Sequence, residues 1–343
     1  MRRAGNLWPT IVSFENLCRA AWRAARGKRH VEGIARFLER LEPEVFALQR
    51  NLEQETYEPG RAFTFRIFDP KERTITAAPF SDRVVHHALI DPLEPIFERR
   101  MASESYACRR GKGTHAALAR ARQLLRRFEY FLKLDVEHCF ESLRHDVVLD
   151  TLGRVVKDRN VLRLCERIVR PGGRDGVGLP IGNLTSQWFA NLVLDRLDHT
   201  IKEVMRIPGY VRYMDDFVLL ADDKQRLQEA LDEIMVFLAN PLRLRLKQCA
   251  TILAPAREGL PFLGWHIYRG TVRLRRANIQ RTRRRLRHRH WEFEVGRIDE
   301  RKLADCVRSV VAHLEHGTTR AMRRRWFEDA RLKIEDYRLR MED

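Results

Sequence analysis

The sequence predicts an α+β fold: strands mixed with helices in one core, followed by a helical, arginine-rich C-terminal domain. Three observations carry this. Apolar residues recur three or four apart over long stretches, the period of an amphipathic helix. Short apolar runs, Tyr130-Phe-Leu-Lys-Leu134 and Phe217-Val-Leu-Leu220, sit against aspartates, as buried strands do where they meet a polar turn. Nine arginines crowd positions 273–289. At 343 residues, 44% of them hydrophobic, the chain can build one large domain or two to three subdomains.

In chain order, Val31, Ile34, Leu38, Leu41, Val45, Leu48 and Leu52 predict one amphipathic helix over 31–52. Tyr57-Glu-Pro-Gly60 marks a turn. Phe63-Thr-Phe-Arg-Ile-Phe68 and Thr74-Ile-Thr76 read as short extended pieces around Asp69-Pro70-Lys71, and 82–100 and 114–129 as helices. A strand from Tyr130 to Leu134 ends at Asp135, with helices following to about 169. Pro171-Gly-Gly-Arg-Asp-Gly-Val-Gly178 is a glycine-rich loop. A helix from Ser186 to about Met205 carries Phe189, Val193, Leu197, Ile201 and Val204 on one face. Tyr210 to Leu220 reads as a hairpin with a polar tip, with a helix at 223–239 after it. Phe262-Leu-Gly-Trp-His-Ile-Tyr268 reads as another hairpin strand, and the chain from about 273 as mostly helical.

Lys plus Arg total 65 against 47 Asp plus Glu, a net charge of +18 and a pI near 10.2. Such a balance points to a polyanionic partner. The six cysteines, at 18, 108, 139, 165, 249 and 306, form no CxxC pair or Cys/His ladder. They read as free thiols of a reducing cytosol rather than zinc ligands. No apolar run reaches the ~18 residues needed to span a bilayer, and the basic N-terminus lacks an apolar signal core. The expectation is a cytoplasmic protein with no membrane partner.

The chemistry lies in the carboxylates. Turns favour Asp, so Asp215-Asp216 at a hairpin tip is weak evidence alone. Flanked by Val211 and Phe217-Val-Leu-Leu220, however, the pair sits where surplus negative charge is costly without a cation. Asp135 ends a separate apolar strand 80 residues earlier. Three clustered carboxylates suit hard divalent ions, and transfer of a phosphoryl group to a 3′-hydroxyl uses two of them about 3.5–4 Å apart.

Tyr213-Met214-Asp215-Asp216 resembles the signature of reverse transcriptases. Lys133-Leu-Asp135-Val136-Glu-His-Cys-Phe140 resembles their first carboxylate motif. Gly178-Leu-Pro-Ile-Gly-Asn-Leu-Thr-Ser-Gln187 resembles the loop and helix under template and incoming nucleotide. Phe262-Leu-Gly-Trp265 resembles the strand that grips the primer end, and Lys71-Glu-Arg73-Thr-Ile-Thr-Ala-Ala-Pro-Phe80 the fingers motif. The likeness runs from residue 30 to about 290. It implies a right-hand polymerase: a helical N-terminal extension (1–60), fingers (61–130), a palm with an antiparallel sheet flanked by helices (131–270, with 141–178 partly fingers) and a basic helical thumb (271–343).

The resemblance also implies roles. Asp135, Asp215, Asp216 and the Val136 carbonyl would hold two Mg²⁺ ions, with Mn²⁺ as a substitute. Lys71 and Arg73 would neutralise the triphosphate; without the resemblance they read as a solvated turn. Phe140 would stand against the sugar and exclude a 2′-hydroxyl; taken alone it reads as a core aromatic. Ile181 and Gln187 would border the incoming nucleotide. Tyr213, Met214, Gly182, Phe262, Leu263, Gly264 and Trp265 would contact primer or template. The family tends to carry a lysine near 250, as proton donor to pyrophosphate. Here Ala250 stands there and Lys247 is the nearest substitute, and Cys139-Phe140-Glu141-Ser142-Leu143 departs from the usual Phe-Phe-Pro-Ser-Ile.

Ile181, where many relatives carry Gln, and Gln187 resemble the enzymes of diversity-generating retroelements. So do Ser105-Tyr-Ala-Cys-Arg-Arg-Gly-Lys-Gly-Thr-His115 and Ala77-Ala-Pro-Phe-Ser-Asp-Arg-Val-Val-His-His-Ala88. That implies an RNA-directed DNA polymerase, bacterial or phage-encoded, that copies a template-repeat RNA with errors at adenines. It also implies an RNA or DNA primer, deoxynucleoside triphosphates and a small basic accessory variability protein as partners. A reverse transcriptase of another bacterial lineage, group II intron-like or defence-associated, is the alternative. A nonenzymatic RNA-binding protein is a third, against which three costly carboxylates argue.

In the C-terminal stretch, Arg281, Arg284 and Arg285 stand among more cations than i,i+4 acids could pair. Phosphate-backbone contact accounts for them, and the resemblance assigns them to the template–primer duplex. His86/His87, His288/His290 and His313/His316 lack accompanying ligands and read as packing or phosphate contacts.

Overall fold

A computed structural model describes residues 3–68 and 72–328. Helices α1 (Trp8–Val12), α2 (Phe14–Ala24), α3 (Glu32–Glu39) and α4 (Leu41–Glu53) precede a hairpin of β1 (Phe63–Ile67) and β2 (Arg73–Ala77). Then come α5 (Phe80–Arg100), α6 (Thr114–Arg127), β3 (Tyr130–Asp135), α7 (Cys139–Ser142), α8 (His145–Val155), α9 (Arg159–Val169) and α10 (Leu184–His199). A second hairpin, β4 (Gly209–Tyr213) and β5 (Asp216–Ala221), leads into α11 (Lys224–Phe237) and β6 (Ile252–Pro255). A third sheet, β7 (Leu260–Phe262), β8 (Trp265–Ile267) and β9 (Val272–Leu274), is followed by α12 (Arg276–Glu294), α13 (Glu300–Glu315) and α14 (Arg320–Glu328). No helix of the described residues is long and apolar enough to cross a membrane.

The helix expected over 31–52 is two helices, broken at Arg40 (φ −112°, ψ 34°). Pro43 explains the break. It has no N–H to give the Glu39 carbonyl, and its ring would crowd that carbonyl. Restarting at Leu41 places it in a first turn, where donors are unpaired anyway. The helix expected to reach Met205 ends as α-helix at His199 and finishes in one π-helical turn, Thr200–Val204. Strand β9 lies in the stretch read as the start of the helical domain: the alternation of buried Val272, exposed Arg273 and buried Leu274 suits a strand edge.

The central sheet runs β4-β5-β3-β6, antiparallel throughout. Its side chains alternate between two cores. Leu132, Leu134, Tyr210, Phe217 and Leu219 face the larger, with α2, α5, α8 and α10. Phe131, Val211, Val218 and Leu220 face the smaller, with α6, β7–β9 and α12–α14. Both faces are covered, so these strands read as continuous apolar runs rather than alternating ones. Each fully buried Phe or Leu contributes about 1.5–3 kcal/mol, and those in the sheet fix its register against a slip that would turn every side chain over.

Candidate active site

The carboxylates come together because of that register. Asp135 is the last residue of β3 and pairs with Asp216, the first of β5. Met214 (φ +55°) and Asp215 form the two-residue turn between β4 and β5, with the positive φ at the first turn position that suits a tight hairpin. The strand end is pinned on both sides. Val136 N–H donates to the Asp215 carbonyl at 3.0 Å, and Lys247 N–H donates to the Asp135 carbonyl at 2.8 Å. By alternation Asp135, Asp216, Tyr213 and Lys133 all belong to the face of Phe131 and Val218.

Electrostatics records the crowding. Burial pushes the Asp215 carboxyl up, and Asp135 adds to the shift. Asp216 is pushed up to about 6, by burial first, against the pull of Lys133 and with further push from Asp135 and Asp215. The Lys133 ammonium lies 2.8 Å from Asp216 Oδ1, an ion pair by distance. Among the described residues that buried oxygen is met by no polar group other than the Lys133 ammonium. Among the described residues no group of three His, Cys, Asp or Glu side chains is placed to hold a metal ion as it stands, and Asp216 meets Lys133. The donor set still fits hard divalent ions: it is all oxygen, it is crowded with negative charge, and one buried carboxylate oxygen is met only by the Lys133 ammonium.

Beneath the turn lies a network that sequence reading missed. Arg212 and Asp198 are both 0% exposed. Arg212 donates to Asp198 from Nε (2.7 Å) and Nη2 (2.6 Å), to Asn191 Oδ1 (2.9 Å), to Ser105 Oγ (3.1 Å) and to the Met214 carbonyl (3.1 Å). Tyr210 also donates to Asp198, at 2.6 Å. Burial works against the guanidinium charge, but Asp198 outweighs it and Arg212 stays protonated. The available signal was a lone charge, Arg212, inside the apolar strand Tyr210-Val-Arg212-Tyr213; Asp198, among Asp195, Arg196 and His199, did not stand out.

Strand β2 lies over the loop before α10. Thr76 N–H donates to the Ile181 carbonyl at 3.0 Å. Gly182 sits at φ +115°, where a Cβ would stand 3.0 Å from Ile75 Cγ2, so glycine is required. Arg73 and Ile181 line one cavity of about 1100 Å³, with Arg66, Glu141 and His86. The charge of Arg73 is felt by Asp215. Lys71 lies outside the described residues. Phe140 is half-buried against the larger core. Gln187 accepts from the Cys108 thiol at 3.3 Å and is thereby tied to the 105–113 loop. Tyr213 accepts from Thr114 Oγ1 at 3.1 Å.

In the β7–β8 hairpin, Phe262 and Trp265 are buried side chains of the smaller core. Only the turn, Leu263 (φ +47°) and Gly264 (φ +85°), stands between them. The Gly264 carbonyl accepts from Asn278 Nδ2 (2.8 Å) and Arg275 N–H (3.2 Å), which ties the turn to the start of α12. Asn278, which no sequence motif singles out, also bonds Arg281. Arg284 and Arg285 are exposed on α12. His288 and His290 face Glu292 and Glu294, while His115 stacks on His316 at 3.4 Å between ring centres.

Carboxylates at paired strand ends, on an antiparallel sheet backed by helices, define a palm of the polymerase kind. The model of the reverse transcriptase (RNA-dependent DNA polymerase) family matches residues 69–267, more than half of the chain. The chain belongs to that family. Protein YkfC of Escherichia coli strain K12 is 24% identical over 278 residues, covering 67% of this chain and 72% of that protein. The group II intron-encoded protein LtrA of Lactococcus lactis subsp. cremoris is 20% identical over 298 residues, 66% of this chain and 50% of that protein. The chain thus spans half of LtrA, and only 16% and 12% of two further intron-linked relatives from yeast and Arabidopsis thaliana. In fold, a Candida tropicalis telomerase structure with a fragment of telomeric RNA aligns at TM-score 0.51 and 11% identity, over 85% of this chain and 58% of that one. The fold is the α+β right-hand polymerase fold.

Proposed function

We propose that this chain is an RNA-directed DNA polymerase that extends a primer on a template-repeat RNA, with adenine-biased errors, for a diversity-generating retroelement. The observation that carries the polymerase reading is the register pairing of Asp135 with Asp216 beside Asp215 at the turn. Residues 1–60 form the N-terminal extension, 61–130 the fingers, 131–270 the palm and 271–343 the thumb. Asp135, Asp215, Asp216 and the Val136 carbonyl hold two divalent cations, taken as Mg²⁺. Such cations, when bound, lower the pKa of the attacking 3′-hydroxyl and neutralise the triphosphate leaving group.

The protein's own groups do the rest. Arg73, with Lys71, sets cationic charge against the triphosphate where negative charge builds. Phe140 closes off space at the sugar. Lys247, whose backbone N–H is bonded to the Asp135 carbonyl, is the lysine nearest in sequence to position 250, where the family carries its proton donor to pyrophosphate. The Leu263–Gly264 backbone, rather than the buried Phe262 and Trp265 rings, faces the primer end. Arg281, Arg284 and Arg285 hold the duplex backbone, with binding that weakens as salt rises.

Ile181 supports the retroelement reading: an apolar side chain cannot hydrogen-bond the incoming nucleotide, so geometric checking of the pair loosens. The intron-encoded protein LtrA and an intron maturase among the relatives favour a second reading, a group II intron-like reverse transcriptase. Primer extension on an adenine-rich RNA with Mg²⁺, followed by cDNA sequencing, separates them. The retroelement reading expects errors concentrated opposite template adenines and fewer of them in Ile181→Gln. Uniformly low error in wild type favours the intron-like reading, and no extension by wild type overturns both.

A further inference from the structure

Lys133 occupies a position that alternation assigns to the smaller core, on one face with Phe131, Val211 and Val218. It is 9% exposed and its cross-strand partners are Val218 and Ile252. An ammonium there loses most of its hydration and needs a strong reason to stay. Its reach ends 2.8 Å from Asp216 Oδ1, the same buried oxygen that no other polar group of the described residues meets. The contact pairs a largely desolvated ammonium with a carboxylate that Asp135 and Asp215 also crowd.

We infer that Lys133 is an internal counter-ion that competes with a divalent cation for Asp216. This rests on the three-aspartate reading of the site. Two cations cannot sit on one carboxylate oxygen without strong repulsion, because screening is weak where water is scarce. With no cation bound, the ammonium offsets the charge gathered by Asp135, Asp215 and Asp216 and lets the hairpin fold against β3. To bind a cation, Asp216 must release Lys133. The resting site therefore binds a bare cation weakly, and binds one well when it arrives with a triphosphate whose own charge replaces the lost ion pair. Lys133 thus couples cation entry to nucleotide entry.

Mn²⁺ alone, titrated into the full chain and followed by the electron paramagnetic resonance signal of the free ion, tests this without any turnover. Lys133→Met binds Mn²⁺ at least about tenfold more tightly than wild type, since a repelling unit charge is gone. Lys133→Arg, which keeps the charge, binds within about twofold of wild type. In EDTA, Lys133→Met melts below wild type, and it gains more than wild type when Mn²⁺ is added. Should Lys133→Met fold poorly, Lys133→Gln is read in its place with the same tenfold expectation. Equal affinity in wild type and the neutral variant, with binding abolished by Asp135→Asn, overturns the counter-ion and leaves the three-aspartate reading standing. Binding untouched by Asp135→Asn in the Lys133→Met background overturns the site itself.

Discussion

The β4–β5 and β7–β8 hairpins both turn in two residues, yet they distribute polarity in opposite ways. At the first, Asp215 in the turn and Asp135 and Asp216 at the strand ends present carboxyl side chains, and the polar support comes from a charged network buried beneath. At the second, Phe262 and Trp265 are sunk in the core and the polar element is a backbone carbonyl, that of Gly264, bonded to Asn278. A side chain can be replaced by mutation and a carbonyl cannot. The first turn is therefore organised for chemistry that depends on residue type, the second for holding a position. This contrast sets which substitutions remove activity and which remove stability.

The sharpest break is expected at Asp215→Asn. Loss of one preorganised charged group at a phosphoryl-transfer centre costs roughly 10²–10³ in rate or more, read by primer extension. Melting temperature should hold or rise at pH 7, because burial and Asp135 both already disfavour the Asp215 charge. A variant that loses activity and stability together would place Asp215 with the structural residues and dissolve the contrast. The same substitution logic applied to Leu263→Ala predicts nearly unchanged extension.

Second in size is Arg212→Met. It leaves Asp198 buried and unpaired, at a cost of about 3–5 kcal/mol by denaturant melting. Arg212→Met combined with Asp198→Leu should recover much of that loss, since the uncompensated charge is gone. Extension by the double variant should remain below wild type, because the Met214 carbonyl has lost its Arg212 donor. Full activity in the double variant would show that the turn holds its shape without the network.

These two residues also mark what the sequence could disclose. Asp135, Asp215 and Asp216 were legible because each interrupts an apolar run at its end, where a side chain must meet a turn or a ligand. Strands β3, β4 and β5 were legible for the same reason: covered on both faces, they contain few polar residues, whereas the four-residue β6 was not read. Arg212 and Lys133 break such runs from inside, Asp198 lies in the mixed segment Asp195-Arg-Leu-Asp198, and the partners Asp198 and Asp216 lie 14 and 83 residues away along the chain. No local rule pairs residues at those separations. The Asn278–Gly264 bond is likewise long-range, spanning 14 residues between a turn and a helix. The split at Arg40 was missed because apolar spacing outvoted Pro43, although the proline carried the steric answer.

A smaller effect should follow Gly264→Ala. The φ of +85° disfavours any Cβ, and one placed there would stand 2.3 Å from Asn278 Nδ2. The expected loss is about 1–2 kcal/mol in stability. Adding Asn278→Ala should relieve the clash but not the backbone strain, and so return only part of it. Extension should fall modestly, through weaker primer binding rather than slower chemistry, seen as a raised KM for primer.

The least effect, and the one that separates the two hairpins by pH, involves histidines. Trp265 of the second hairpin lies 5.2 Å from the His313 ring, and His115 of α6 lies between His313 (5.7 Å) and His316 (3.4 Å). Burial lowers the pKa of His313, with His115 and His316 adding to it; burial and His316 lower that of His115. Arg122 and Arg126 line the same hollow as His115 and His316. A histidine whose folded pKa lies below its unfolded value favours folding above the unfolded pKa, near 6.5, and loses that contribution as pH falls through it. Melting temperature should therefore drop by a few degrees between pH 7 and 5, in part through this joint. His115→Phe, which keeps a ring to stack on His316 but cannot take a proton, should flatten that slope. An unchanged slope in His115→Phe would mean that the α6–α13 contact does not govern acid stability, and the second hairpin would then be as indifferent to pH as its uncharged turn suggests.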